Sequence, residues 1–241
     1  MPNKFVAVST LVLSGLAVGP VIAQYPSVRH EGPEVLTVDH IIVVVGDLRD
    51  GSRQFQEMTG VEPVFGGRHT GAGTQNALVG LGPQSYLEIL APQIDGELRE
   101  SAEWLLAFDS LTPMGFAVST TDMAGTVARL QSHSYGTSEP APGSRSLPDG
   151  ETLMWTTMGI TDPGIAGAPF IIEWGATSPH PATTSPGGCT LRSLKVFSPQ
   201  KVALDRLFTA LGLEVVAEDA TDQNTSYQIE LDCPKGTILL K

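Results

Sequence analysis

Three side chains in this sequence have the types and placement to hold a metal ion. His40 opens the apolar run of TVDHIIVVVGDL, Glu88 interrupts SYLEIL, and Glu173 interrupts FIIEWG. A carboxylate set between residues such as Leu87 and Ile89 faces solvent, a pocket or a metal, because burying it unpaired is expensive. Glu88 and Glu173 occupy matching places in the last strands of two similar units, and His40 opens the first strand of one of them. One imidazole nitrogen with two carboxylates is an N,O,O set, able to hold Fe²⁺, Mn²⁺, Zn²⁺ or Ni²⁺ with positions open for water or substrate. Gly115 stands where the second unit would place its own strand-opening histidine, so the set stops at three. The same residues also read as a hydrogen-bonded strand-edge histidine and two solvent-facing glutamates.

A second group lies in the stretch GGRHTGAGTQN. Its glycines have the wrong spacing for a dinucleotide fingerprint, and no phosphate-loop pattern occurs, so no nucleotide cofactor is expected. The stretch reads as a turn delivering polar side chains beside a sheet. Arg68 can pair with a carboxylate or an enolate-like oxygen. His69 can move a proton near neutral pH, while Gln75 and Asn76 can orient an amide or carbonyl. Trp174, with Trp155, Met154 and Phe116, supplies apolar wall or core. His180, between prolines in a long connection, reads as structural. No Gly-x-Ser-x-Gly elbow is present and Cys189 has no histidine partner, which leaves acyl transfer without support.

The elements that would position these groups follow one order written three times. VDHIIVVVGDLRDGSRQFQEMTGV is a strand, an aspartate, an amphipathic helix and Gly60. MGFAVSTTDMAGTVARLQSHSYG repeats that order with Asp122 in the place of Asp47, and LRSLKVFSPQKVALDRLFTALGL repeats it with Ser198, Pro199 and Gly212. Asp or Ser at such positions accepts the free N–H groups of a first helical turn. Phe55 with Met58, Val127 with Leu130, and Leu204 with Leu207, Phe208 and Leu211 form the apolar helix stripes. Strand pairs follow each helix, closing in the third unit with a hairpin around Pro234-Lys235-Gly236. ELRESAEWLLAFDS reads as a short linking helix, TSEPAPGSRSLPDG as a Pro/Gly-rich loop, and GATSPHPATTSPGGC as a connection along the outside. One unit alone leaves a sheet face exposed, so two must pair to close a core.

From about Val38 to the C-terminus the chain resembles the glyoxalase-like branch of the vicinal oxygen chelate superfamily. DHIIVVVGDL, GGRHTGAGTQNALVGLGPQSYLEILAP, FIIEWG and HPATTSPGGCTLRSL carry the resemblance. It implies an α+β fold of repeated βαβββ modules forming a cupped, partly open mixed sheet. Paired modules would fill 36–180, at about 36–92 and 112–175, with a third, degenerate module at 189–241 packed on the same body. It also implies four ligand positions, two per module, falling on His40, Glu88, Gly115 and Glu173; glycine cannot ligate, and the metal set remains His40, Glu88 and Glu173. Some members of the superfamily enclose a ligand without metal, and members often dimerise, so a homodimer is compatible with the resemblance.

Composition narrows the partners. Against 14 Lys+Arg stand 26 Asp+Glu, a net charge of −12, and no basic tract occurs, so nucleic acid and anionic membrane surfaces are poor partners. Lys4, the apolar run Phe5 to Val18 and Val21-Ile22-Ala23 read as a cleavable secretory leader over 1–23, too short and Gly/Pro-broken for a stable membrane span. In an oxidising compartment Cys189 and Cys233 can pair, and Asn224 lies in a lone glycosylation sequon. The expectation is a secreted glyoxalase-like protein, a metal-dependent isomerase or lyase acting on a small vicinal-oxygen compound. Glu88, Glu173 or His69 would carry the proton, and Arg68, Gln75, Asn76 and Trp174 would hold the substrate. The alternatives are a non-catalytic small-molecule binding protein of the same fold and an extradiol-type dioxygenase, whose His,His,Glu set is not reproduced.

Overall fold

Strand β1 (Thr37–Val44) sets the plan of the molecule by alternation. Ile41 and Val43 are buried on one face, while His40 turns to the other and lines a cavity. A computed structural model describes residues 36–69, 71–94, 100–146, 150–161 and 165–241, which all lie within one unit, Glu34–Lys241. The leader expected at 1–23 falls outside the described residues.

After β1 come helix α1 (Leu48–Thr59) and strands β2 (Val64–His69), β3 (Thr74–Gly80) and β4 (Tyr86–Pro92). A short helix α2 (Glu100–Glu103) and a 3₁₀ turn (Trp104–Ala107) lead to β5 (Thr112–Ser119), α3 (Met123–Ser132), β6 (Ala141–Ser146), β7 (Thr152–Met158) and β8 (Phe170–Trp174). Each set is a βαβββ unit. The eight strands close into a barrel of order β1-β4-β3-β2-β6-β7-β8-β5. The expected cupped sheet therefore curls as far as closure. Within each unit the first and last strands run parallel, β1 beside β4 and β5 beside β8. The units join at two antiparallel seams, a long one between β1 and β5 and a short one between β2 and β6. One chain thus closes the barrel without a second copy.

The capping aspartates act as read: Asp47 accepts from the Asp50 N–H and Asp122 from the Gly125 N–H, each at 2.9 Å. Gly60 and Gly212 end α1 and helix α5 (Lys201–Leu211) at φ +81° and +70°, a left-handed turn that favours glycine. Ser198 is not the third cap. Its hydroxyl donates to the Ala166 carbonyl and accepts from the Gln200 N–H, so the helix begins later, at Lys201. Met58, placed in the α1 stripe with Phe55, is half-exposed, whereas Phe55 is buried.

Helix α4 (Pro181–Thr184) leads to β9 (Thr190–Ser198), α5, β10 (Val216–Asp219), β11 (Ser226–Cys233) and β12 (Gly236–Leu240). The element order repeats but the strand order does not. This sheet runs β10-β9-β11-β12, with β9 inside it, whereas β1 and β5 pair with the last strand of their own units. Cys189 and Cys233 form a disulfide.

One continuous core joins both sheets. The outward faces of β1, β4, β5 and β8 (Ile41, Leu87, Phe116 and Ile171 among them) pack with Leu194, Leu204, Phe208 and Ile229 of the third unit. Phe116 and Phe208 meet edge to face with ring centroids 6.0 Å apart. The interior of the barrel is built differently. Val44, Ala102 and Leu105, with Ile42, Leu90 and Phe108 against them, form a separate cluster under the linking helix. Above it the barrel is hollow.

Candidate functional site

A bulge in β1 builds the site. In the β1–β5 ladder Val38 faces Val118 and His40 faces Ala117, leaving Asp39 without a partner. An extra residue of this kind re-aims side chains next to it. Asp39 is 0 % exposed, and its carboxylate bonds to its own neighbour: His40 Nδ1 lies 2.7 Å from Oδ1. Trp174 Nε1 and His180 Nε2 both lie 3.0 Å from Oδ2. Burial alone would raise the pKa of Asp39, but hydrogen bonds from His180 and His40 hold it down at about 2.

Protonation follows from this geometry. An ionised carboxylate only accepts, so His40 carries its hydrogen on Nδ1 and His180 carries one on Nε2. His180 Nδ1 accepts from the Ala182 N–H at 3.2 Å. His40 Nε2 is then turned inward, 3.7 Å from Glu88 Oε2. The parallel register sets this up, placing His40 opposite Tyr86 and Ile42 opposite Glu88, so that Tyr86, Glu88 and Leu90 share the inner face of β4. Tyr86 stacks on the His40 ring at 4.7 Å, and burial pushes its hydroxyl pKa well up.

Asn76 holds the other side of Glu88. Its Nδ2 donates to Glu88 Oε1 at 2.6 Å and to His69 Nε2 at 3.2 Å. His69 Nδ1 in turn donates to Thr74 Oγ1 at 2.8 Å. Burial holds His69 below the usual histidine range, against the opposing pull of Glu88, so it is neutral at pH 7. Glu88 Oε2 makes no hydrogen bond to any described residue and fronts a cavity of about 300 Å³. Trp155, Trp174, Phe170 and Leu90 wall that cavity, and Arg145 reaches it from β6.

Of the residues singled out in the sequence, the structure brings His40, His69, Asn76, Glu88 and Trp174 together around the cavity. It does not bring in Glu173, Arg68 or Gln75. Strand β8 alternates, with Phe170, Ile172 and Trp174 inside, so Glu173 turns outward beside Thr156 across the β7–β8 ladder. Arg68 is exposed on β2, one residue before the inward His69. Gln75 spends its amide on the Pro92 carbonyl, tying β3 to β4. The expected loop at TSEPAPGSRSLPDG contains β6 instead, because pairing with β7 overrides weak propensity. Gly143 lies opposite Trp155, where any side chain would collide with the indole.

The N,O,O set of His40, Glu88 and Glu173 therefore does not form. His69 is the third side chain at Glu88, with Nε2 3.5 Å from Oε1, but both its nitrogens are already engaged by Asn76 and Thr74. Among the described residues no three His, Cys, Asp or Glu side chains are grouped to hold a metal ion. The donor set does not fit a metal. Sequence reasoning missed Asp39, Tyr86, Arg145 and the Asp39-bound role of His180. Strict alternation points Asp39 away from His40, and nothing local announces the bulge that reverses it.

The comparisons agree with this architecture. A hypothetical protein from Staphylococcus aureus shares the fold, with a TM-score of 0.60 at 17% identity over 86% of both chains. Methylmalonyl-CoA epimerases also match more distantly. The Streptomyces coelicolor enzyme, solved with 2-nitronate-propionyl-CoA, covers 59% of this chain and 96% of its own (TM-score 0.43, 17% identity). The Mycobacterium tuberculosis enzyme covers 65% and 97% (TM-score 0.42, 17% identity). No curated protein matches the sequence. Residues 38–212 match the glyoxalase-like domain family, and over this stretch, which holds the whole barrel, the chain belongs to that family and so to the vicinal oxygen chelate superfamily.

Proposed function

We propose that this chain moves a proton at a carbon beside a carbonyl group of a small oxygenated molecule, an isomerase- or lyase-type reaction. The observation that carries the proposal is Glu88: a buried carboxylate with one oxygen held by Asn76 and the other free toward the cavity. Oε2 takes the proton from carbon, and the electron pair moves into the carbonyl to give an enolate. His40 Nε2, 3.7 Å away, can receive that proton from Glu88, and the Asp39 carboxylate stabilises the imidazolium that results. Where the carbon that loses the proton also bears a hydroxyl, returning the proton to the former carbonyl carbon while the hydroxyl proton passes to the neighbouring oxygen completes an isomerisation. Where a leaving group sits on the carbon beta to the carbonyl, its departure as the enolate electron pair forms the new double bond completes an elimination. His69 and Asn76 fix the angle of Glu88 but hold no transferable proton toward the substrate. No step is routed through a metal, since the donor set does not fit one.

The chemistry is tested by deuterium incorporation from D₂O into a panel of small oxo acids and hydroxyketones, followed by mass spectrometry. Exchange should occur with at least one member, and E88Q should slow it by about a hundredfold or more. Exchange that survives E88Q would refute the assignment. Binding without exchange across the panel would leave the non-catalytic binding reading in its place. An extracytoplasmic location is proposed as well, supported by the Cys189–Cys233 disulfide and the leader-like N-terminus. Among the described residues no helix is long and apolar enough to cross a membrane.

A further inference from the structure

Arg145 is the side chain this mechanism does not use. It is 3 % exposed and lines the cavity, yet it makes no hydrogen bond and no ion pair with any described residue. Its Nη1 is enclosed without a partner. A guanidinium keeps its charge, so burying it without a counter-ion costs stability that no described residue returns. Burial lowers its pKa, and Tyr86 and Glu88 oppose that shift. Glu88 does not neutralise it directly: Oε1 is taken by Asn76, and Oε2 faces His40.

The surroundings are shaped to keep this cation in place. A side chain at Gly66 would collide with both Asn76 Oδ1 and Arg145 Nη1, so the bare β2 backbone provides the niche in which they sit. Asn76 Oδ1 is itself buried without a partner. Beside Arg145 the wall turns flat and apolar, with Trp155, Trp174 and Phe170. From this juxtaposition of an unpaired buried guanidinium and aromatic walls, and resting on the same cavity as the proposed function, we infer that the substrate is a small monocarboxylic acid. Its carboxylate pairs with Arg145 and its apolar body lies against the tryptophans. A guanidinium fork matches a carboxylate in the plane. With the Glu88 and Asp39 carboxylates already close by, a second negative charge on the ligand would be repelled, which favours a monoanion over a dianion at Arg145. At about 300 Å³ the space is at the small end of ligand pockets, which excludes a bulky acid.

Trp155 and Trp174 report binding through their own fluorescence. Wild-type protein is titrated with benzoate and phenylacetate, with the uncharged isosteres benzamide and phenylacetamide, and with phenylphosphonate. The acids should bind roughly tenfold or more tighter than their amides, and tighter than the phosphonate. R145M should abolish the preference for acid over amide, with R145K intermediate, and near-UV circular dichroism checks that each variant is folded. If R145M fails to fold, the wild-type ratios and R145K still decide. Equal binding of acid and amide, no binding by any acid, tighter binding of the phosphonate, or a preference that survives R145M would each overturn the inference. E88Q separates the two readings. Acid preference retained in E88Q without any exchange in the wild type would sink the proton-transfer reading alone. Exchange on uncharged ketones without acid preference would sink the carboxylate inference alone.

Discussion

Replacing Asp39 with asparagine tests the centre of the site through stability. The carboxyl group moves from an ordinary value of 3.8 to about 2 on folding, which corresponds to about 2.5 kcal/mol in favour of the folded state at neutral pH. Because the folded value is the lower one, this stabilisation is complete above the unfolded value near 3.8 and is lost as pH falls toward about 2. Asparagine removes the charge and creates a second difficulty. Three donors converge on this position: His40 Nδ1, Trp174 Nε1 and His180 Nε2. An amide offers one accepting oxygen, and its NH₂ must face at least one of those donors, which adds about 1–3 kcal/mol. D39N should therefore be less stable than the wild type by about 3.5–5.5 kcal/mol at pH 7. Urea unfolding followed by tryptophan fluorescence, stepped downward from pH 7, measures the gap. The other carboxylates titrate in both proteins and cancel in the difference, so the gap should narrow as the wild-type carboxyl protonates. A gap below about 1 kcal/mol, or one that does not shrink in acid, would refute the ionised, three-donor Asp39.

Two further variants follow from the placement of the elements. E173Q should leave fluorescence titrations, deuterium exchange and the metal content of purified protein unchanged, because β8 turns that carboxylate to the outer face; loss of any of the three would return Glu173 to the site. The double variant C189S/C233S releases a cross-link spanning 44 residues of sequence, and chain entropy sets the loss at about 4 kcal/mol. Urea unfolding with and without reductant should show that loss, with the double variant insensitive to reductant, and a change under about 1 kcal/mol would contradict it.

The fold was legible because its signals are local and repeated. Asp47 and Asp122 ahead of amphipathic stretches mark the helices, and turn residues such as Gly82-Pro83 and Pro234-Lys235 separate the strands. β6 was not legible, since Pro142 and Gly143 speak against a strand and only the indole of Trp155 lying over Gly143 makes sense of them. The third unit shows the complementary failure: its order of elements is local and readable, while the choice of β10 and β11 as neighbours of β9 is made by long-range pairing. At the site, matched placement of Glu88 and Glu173 suggested a shared role. Their strands carry those residues on opposite sides of the barrel wall, and a shift of one residue in alternation is enough to do so. Arg145 gave no signal because an arginine among Gly, Ser and Pro has the composition of a solvated turn.

The placement of the core explains how such a site is tolerated. In a small barrel the interior is ordinarily filled by side chains, and stability and function compete for the same space. Here Phe116, Leu87 and Ile171 point outward into a core shared with the four-stranded sheet, so the packing that holds β1, β4, β5 and β8 together lies behind the strands. The inner face is then free to carry Glu88, Asn76 and an unpaired Arg145. Asp39 is where the two regimes meet. The bulge sets it in the wall itself, where its three donors come from β1, from β8 and from the connection before α4. Its loss should accordingly disturb both stability and the orientation of His40. Substitutions at Glu88 should disturb the chemistry and leave the outward-facing core as it is.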